Sequence, residues 1–334
     1  MADLYPYNTL RVHAKCNNFF EINSINELTN INLTDQYIFL GAGANILFTK
    51  DFPGTVAKIN FSGIKVIKET DSEVFVEAAA GQNWHELVMW SVDNNLSGLE
   101  NMALIPGTVG GAAIGNIAAY GGNQEDVIVN VQTPNLKIQK SECQFSYRHS
   151  YFKNHPELLI TSVMYRLSKN PLPDTSYHDR YTSLAAELAK IATPPYSAKD
   201  ISQAVINIRK SKLPNMDQVG TAGSFFKNPL ISKDKFQHLS SSIQNLQWYP
   251  SEKLSYHDET QIPETVKIPA GRLLDELGWK GKTIGHVSTS PNQALYVINL
   301  GGATGQEIYE YAELMRADIK KNFDMDLEYE IQII

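Results

Sequence analysis

The sequence predicts an α+β fold divided into more than one domain, and three observations lead there. Strand-like and helix-like segments are interspersed without the regular alternation of a doubly wound parallel sheet. A chain of 334 residues exceeds what one typical core organises, so two or three domains are expected. The third observation is the run 105–122, as apolar as a membrane segment but punctuated by six glycines. Each glycine costs a helix about 1 kcal/mol relative to alanine, so bare, non-helical backbone is expected there. Such backbone suits close approach of a large ligand, and N–H groups left outside regular structure suit phosphates.

Taken in order, residues 37–40 read as a short buried strand that runs directly into Gly41-Ala-Gly43-Ala-Asn45. Residues 55–59 and 74–78 are further strands. Asn83 caps the next helix, with Glu86 three residues on, and Trp84, Leu87, Val88 and Trp90 supply its buried face. A strand follows near 158–167. The stretch 168–197, rich in Pro, Tyr, Asp and Ser, reads as linker at its ends around a short helix at 184–191. Ile201, Val205 and Ile208 recur at helical spacing, with Pro214 beyond the helix end. Pro269 suits the first turn of a helix that Gly278 stops. Residues 294–298 form a strand. Thr304 and Glu307 make a capping box for a helix burying Ile308, Ala312, Met315 and Ile319. The chain closes on a strand at 327–334, where alternation sets Glu328 and Glu330 opposite Leu327, Tyr329, Ile331 and Ile333.

Composition narrows the function classes. Hydrophobic residues at 43% and charged residues at 19% describe an ordinary soluble globular chain. No apolar stretch is long and clean enough for a membrane span, and the N-terminus has no signal-peptide pattern. The two cysteines, Cys16 and Cys143, match neither a disulfide framework nor a zinc site, so a cytoplasmic location is expected. A formal charge of −7, without a basic run interleaved with aromatics, argues against nucleic acid. No pair among His85, His149 and His286 has metal-ligand spacing, so no metal is assigned.

Several residue patterns carry chemistry. Gly41 and Gly43 follow a strand, but Ile46 breaks the dinucleotide fingerprint G-x-G-x-x-G. Together with the 105–122 run they could hold one extended dinucleotide, with Asn45, Asn116 and Tyr120 as polar contacts. Arg148 lies among Phe145, Tyr147, Tyr151 and Phe152, a setting for a partly buried cation that needs an anion. Ser224 lies in Gly223-Ser-Phe-Phe-Lys-Asn228, which is not a nucleophile elbow. Lys212, Lys227 and Asn228 suit a diphosphate or a solvated surface.

Six motifs in this order resemble the UDP-N-acetylenolpyruvoylglucosamine reductase (MurB) family over almost the whole chain. They are Gly41-Ala-Gly-Ala-Asn45, Pro106-Gly-Thr-Val-Gly-Gly-Ala112, Asn116-Ile-Ala-Ala-Tyr-Gly121, Tyr147-Arg-His-Ser-Tyr-Phe-Lys153, Gly223-Ser-Phe-Phe-Lys-Asn-Pro229 and Leu327-Glu-Tyr-Glu330. The resemblance implies a two-subdomain FAD-binding fold of the vanillyl-alcohol-oxidase type and a C-terminal α+β substrate-binding domain. In these terms residues 1–62 and 63–200 are the FAD-binding subdomains, 201–326 the substrate domain, and 327–334 a strand carrying the catalytic glutamate and packing back on the N-terminal part.

The implied activity is that of UDP-N-acetylmuramate dehydrogenase. NADPH would reduce non-covalent FAD, which would reduce UDP-N-acetylglucosamine enolpyruvate for peptidoglycan synthesis. Ser224 would be the proton donor, and Arg148 and Glu330 would stabilise the enolate. FAD would lie against Gly41, Gly43, Ala44, Asn45, Pro106, Gly107, Thr108, Gly110, Gly111, Asn116, Tyr120 and Gly121. Tyr177, Lys212, Asn228 and Glu276 would contact the nucleotide sugar, Tyr177 from a loop at about 170–196 that marks the family's long form. Ala44 stands where the family usually has serine, and Glu276 where relatives can carry glutamine. The chain is expected to act as a monomer. Competing readings are an FAD oxidoreductase of the same fold acting on another substrate, and a non-catalytic nucleotide-sugar binder. The absence of His and Cys from 41–45 and 105–122 points to non-covalent flavin.

Overall fold

The computed structural model describes residues 1–30, 36–170, 175, 177–179, 182–216, 218–251 and 262–334. The chain divides into two units that do not follow its order. The first comprises residues 1–17, 43–53 and 210–334, the second 18–42 and 54–209.

The second unit is built on a five-stranded antiparallel sheet. Its order is Lys137–Gln139, Ile128–Gln132, Ser162–Ser168, Glu73–Ala79 and Ile64–Glu69. Val74, Val76 and Ala78 alternate onto the buried face, as a half-covered strand requires. They share a core with Trp84, Leu87, Val88 and Val92 of helix Trp84–Asp93, and with Ile201, Ala204, Val205 and Ile208 of helix Ala198–Lys212. Asn83 caps the first of these helices by accepting from the Glu86 N–H at 3.1 Å, while Trp90 is only half-buried. The short helix expected at 184–191 is present as Leu184–Ile191.

The glycine-rich run corrects the sequence expectation: Val109–Gly115 is an α-helix despite Gly110, Gly111 and Gly115. The cause lies in packing. A Cβ on Gly110 would stand 3.0 Å from the Ala80 Cβ, so a side chain there would push the helix off the sheet. The N–H groups expected to remain open are also used. Val109 donates to Gln82 O and Gly110 to Ala80 O, both at 2.9 Å, and Gly111 donates to the Thr108 hydroxyl at 3.4 Å. Asn116 ends the helix in the left-handed region, at φ 43° and ψ 64°.

In the first unit an antiparallel sheet runs in the order Gly220–Ser224, Tyr296–Asn299, Val287–Thr289, Thr283–Ile284. A second sheet sets Thr265–Lys267 between Leu230–Ser232 and Tyr249–Pro250. Helix Gly305–Phe323 starts in the expected Thr304–Glu307 capping box and buries Ile308, Ala312, Met315 and Ile319 completely. The terminal strand is much shorter than its pattern. Only Gln332–Ile333 forms a ladder, parallel to Ile46–Leu47. Glu330 N–H donates to Phe225 O but Gln332 N–H donates to Asn45 O, so the segment changes partner and cannot continue one ladder. Among the described residues no helix is long and apolar enough to cross a membrane.

Candidate active site

In the second unit, strand Tyr37–Leu40 pairs in parallel with residues 55–58 and delivers Gly41. A Cβ on Gly41 would lie 2.6 Å from the Thr108 hydroxyl oxygen, so the two glycine-rich segments meet there. Gly110 faces inward on Ala80, but Gly107 meets nothing within 4 Å and Gly111 only its own cap, Thr108. Pro106 is exposed. Gly107 and Gly111 therefore offer accessible backbone without side chains beside the exposed Pro106 ring, which fits a large flat ligand such as a dinucleotide.

Asn116 is buried, and its amide nitrogen donates to Glu125 Oε2 at 2.8 Å and to Ser146 O at 2.9 Å. It thereby anchors the loop that carries Arg148. Downstream, strands Ala118–Ala119 and Gly122–Asn123 form a hairpin whose two central residues, Tyr120 and Gly121, have φ 50° and 87°. Positive φ at both positions is what a two-residue type I′ turn demands. Asn101 holds the turn by donating to Tyr120 O at 2.7 Å. Half-buried Arg148, at φ 53°, donates to Ala118 O at 3.3 Å and lies 5.4 Å from the Tyr147 ring centroid. Tyr177 meets the Tyr120 ring edge-on at 5.3 Å. One hairpin thus gathers Arg148, Tyr120 and Tyr177, while Asn116 fixes the neighbouring loop.

In the first unit Gly43 has φ 62°, and a Cβ there would stand 2.0 Å from Tyr7 O. Only glycine fits that position. Half-buried Ala44 follows, and then exposed Asn45, whose amide donates to Glu330 O at 3.1 Å. Asn45 and Glu330, both singled out from the sequence, are therefore bonded across 285 positions.

Ser224 ends strand Gly220–Ser224, where the pairing register shifts between Thr221 and Ser224. Gly223, at φ 75°, sits in this bulge, a device that re-aims the next side chain. Phe225, the residue after Ser224, accepts from the Glu330 N–H at 3.0 Å, and Lys227 N–H donates to Glu328 O at 2.8 Å. The Ser224 and Glu330 segments are thereby bonded side by side. The structure also separates the two glutamates that alternation left equivalent. Glu328 is 74% exposed and ion-paired with Lys227 at 2.9 Å, whereas Glu330 is half-buried.

The remaining expected contacts have defined places. Asn228 accepts from Ala270 N–H at 3.0 Å, at the start of helix Ala270–Glu276. Glu276, the last residue of that helix, is ion-paired with Arg272. Lys212 is the half-buried last residue of helix Ala198–Lys212.

Sequence reasoning passed over two features. Lys267 is wholly buried in the strand paired with Leu230 and Tyr249, close in sequence to the Ala270–Asn228 bond. A lysine set between Val266 and Ile268 was its available signal. The second is a cluster on helix Gly305–Phe323. Arg316 donates to Glu313 at 2.6 Å and to Leu327 O at 2.9 Å, and the Tyr329 hydroxyl donates to Glu313. Burial alone would raise the Glu313 pKa, but the bonds from Tyr329 and Arg316 outweigh it and hold the carboxyl below its ordinary value. Burial, then the Glu313 carboxylate, pushes the Tyr329 phenol up, so it stays a donor at neutral pH. Among the described residues no group of His, Cys, Asp and Glu is arranged to hold a metal ion.

Comparisons with known proteins agree with this architecture. The family model of the UDP-N-acetylenolpyruvoylglucosamine reductase C-terminal domain matches residues 214–334, and that of an FAD binding domain matches residues 30–134. UDP-N-acetylenolpyruvoylglucosamine reductase of Flavobacterium johnsoniae is 40% identical over 99% of this chain and 98% of its own. The protein of the same name from Bacteroides fragilis is 34% identical over 99% and 98%. The crystal structure of UDP-N-acetylenolpyruvylglucosamine reductase from Thermus caldophilus superposes with a TM-score of 0.66. It covers 99% of this chain and 97% of that one at 22% identity, and so speaks for the fold.

Proposed function

The chain belongs to the UDP-N-acetylenolpyruvoylglucosamine reductase family, and on that premise we propose that it reduces UDP-N-acetylglucosamine enolpyruvate to UDP-N-acetylmuramate. The electron donor is NADPH, and the product serves peptidoglycan precursor synthesis. One observation carries this reading furthest. Ser224 and Glu330, a proton donor and a carboxyl group, lie on segments bonded to each other, with Asn45 bonded to Glu330.

Gly41, Gly107, Thr108 and Gly111 fit an FAD surface, with Gly43, Ala44, Asn45, Pro106, Gly110, Asn116, Tyr120 and Gly121 completing the segments that hold it. FAD, when bound, supplies the two-electron carrier between NADPH and the enolpyruvyl ether. The chain's own residues handle the charge and the proton. Hydride addition at the methylene carbon leaves negative charge on the carbon beside the substrate carboxylate. Arg148, a permanent cation, offsets that charge, and Glu330 polarises the same group. Ser224 then gives its hydroxyl proton to the carbanion. A serine hydroxyl is a weak acid, but a carbanion is a strong enough base to take its proton when the two are in line. Tyr177, Lys212, Asn228 and Glu276 hold the nucleotide sugar.

The test is anaerobic and spectroscopic. The purified protein carries a flavin spectrum that NADPH bleaches. Addition of UDP-N-acetylglucosamine enolpyruvate restores the oxidised spectrum. Bleached flavin that this substrate leaves bleached rules the reading out. Acid denaturation releases the flavin, as expected of non-covalent binding; flavin retained on the polypeptide counts against that part.

A further inference from the structure

Glu330 lies near the chain terminus, and the ladder nearest it, Gln332–Ile333, is two residues long. So short a ladder does not fix a side chain on its own. Its backbone is bonded to Phe225 and Asn45, and the upstream side adds further contacts. Helix Gly305–Phe323, 19 residues long, starts in a reciprocal capping box and ends on left-handed Asp324. Glu313 and Arg316 stand three residues apart, on one face of it.

Arg316 and Glu313 make three contacts with the segment before Glu330, beside the Lys320–Asp326 ion pair at 3.0 Å and the Tyr309 ring at 6.1 Å from that of Tyr329. Arg316 Nε donates to Leu327 O at 2.9 Å, the guanidinium carbon lies 5.0 Å from the Tyr329 ring centroid, and the Tyr329 hydroxyl bonds Glu313. The same ring stacks on Phe226 at 5.4 Å and meets Phe225 edge-on at 5.9 Å. Phe225 follows Ser224 in the chain and accepts the Glu330 N–H. A single aromatic ring therefore couples a capped helix to both reacting segments.

We propose that Arg316, Glu313 and Tyr329 are positioning residues that set Glu330 against Ser224 for the protonation step. The proposal rests on the reading of those two groups given above. Arginine suits the task because its rigid fork serves a backbone carbonyl and a carboxylate at a fixed angle while its plane covers a ring. A lysine offers a point charge and cannot keep all three contacts.

The experiment compares Arg316→Met, Arg316→Lys and Tyr329→Phe with the parent holoprotein in two measurements. Anaerobic stopped-flow separates flavin reduction by NADPH from reoxidation by UDP-N-acetylglucosamine enolpyruvate. Arg316→Met lowers the limiting reoxidation rate about 10- to 100-fold, the cost of displacing a reacting group by about 1 Å, with half-saturation and flavin reduction within about twofold. Arg316→Lys falls between Arg316→Met and the parent, and Tyr329→Phe, which keeps the ring, shows the smallest loss. Amide hydrogen exchange supplies a readout independent of turnover. The Glu330 N–H exchanges about tenfold faster in Arg316→Met, while the core amides of helix Gly305–Phe323 keep their protection. Parental reoxidation or unchanged Glu330 protection in a folded variant overturns the proposal. Equal losses in both half-reactions overturn it too, because they mark general damage. If Arg316→Met does not fold, Tyr329→Phe decides by the same criteria. A parent protein that the substrate does not reoxidise sinks the functional reading itself and this proposal with it.

Discussion

The two units hold their proposed site residues by different means. In the second unit Asn116, Tyr120, Gly121 and Arg148 all adopt positive φ, at 43°, 50°, 87° and 53°. In the first, Ser224 and Glu330 lie on paired segments, and the left-handed positions of the site segments are glycines, Gly43 at 62° and Gly223 at 75°. A left-handed non-glycine residue costs roughly 1–2 kcal/mol, so the surrounding structure must impose it. At Asn116 and Tyr120 the second unit does so with neutral donors, the side-chain amides of Asn116 and Asn101 aimed at carbonyls and at Glu125, and at Arg148 the Lys153 ammonium donates to the carbonyl at 3.2 Å. The first unit uses an extended ribbon and a charged clamp. Geometry held by strained turns should fail together with local stability. Geometry held by a ribbon should let chemistry and stability be separated.

The largest expected effect tests that separability in the first unit. On the proposed function, Ser224→Ala lowers flavin reoxidation by the substrate by about 10²- to 10⁴-fold, the range of a lost general acid. Flavin reduction by NADPH and the urea unfolding midpoint stay close to parental, because Gly223 and the register shift, not the serine hydroxyl, form the bulge. Equal loss in both half-reactions would give Ser224 a structural role and break the comparison.

Next in size is Asn116→Ala. It removes two hydrogen bonds, one of them to a carboxylate, and puts a residue with little tolerance for positive φ at 43°. Unfolding in urea should show a loss of about 2–4 kcal/mol. Asn116→Gly keeps the backbone conformation and loses only the bonds, so it should cost less. If the two variants match, backbone conformation contributes nothing and the strained-turn description is wrong. A smaller loss, about 1 kcal/mol, is expected of Thr304→Ala, which removes the side-chain cap from the helix bearing Arg316. Reoxidation by the substrate should be unaffected, because Arg316 lies well beyond the first turn. A fall in that rate would mean that the whole helix, rather than its clamp, sets Glu330.

The same contrast explains what the sequence made legible. Helices announced by local signals were readable: Asn83 and Glu86, Thr304 and Glu307, and the spacing of Ile201, Val205 and Ile208 all concern neighbours within one or two turns. The glycine-rich run was read as non-helical because local sequence shows what glycine costs a helix but not what the helix packs against. Its helical centre depends on Ala80, thirty positions upstream, which only the folded chain brings against Gly110. The terminal strand was overextended because alternation cannot show that Glu330 and Gln332 donate to different partners. Arg148 was legible as a cation among aromatics, and Tyr147 does lie beside it. Its bond to Ala118 spans 30 positions, and nothing in the local pattern announced it. Alternation alone left Glu328 and Glu330 equivalent and only the family resemblance chose Glu330; in the structure Lys227 pairs with the exposed first while the second is half-buried.

The smallest effect concerns the charge in the clamp. Glu313 is held below its ordinary value of 4.5 because bonds from Tyr329 and Arg316 outweigh the effect of burial. A carboxyl whose folded pKa is depressed contributes stability that is complete above the unfolded value and disappears as pH falls through the folded one. Glu313→Gln removes the titrating group and keeps the shape. The parent should therefore exceed the variant in urea stability at about pH 7, and the gap should close as pH drops below the usual carboxylate range. The side chain is 39% exposed, so solvent and salt screen the pair, and the gap at neutral pH should shrink in molar salt. The Tyr329–Glu313 bond survives in part, because the glutamine carbonyl still accepts from the phenol. A gap that persists unchanged into acid would mean that Glu313 acts through shape alone. The first unit would then hold its proposed reacting groups as the second holds Asn116 and Tyr120, by neutral donors, and the contrast between charged clamp and strained turn would fall.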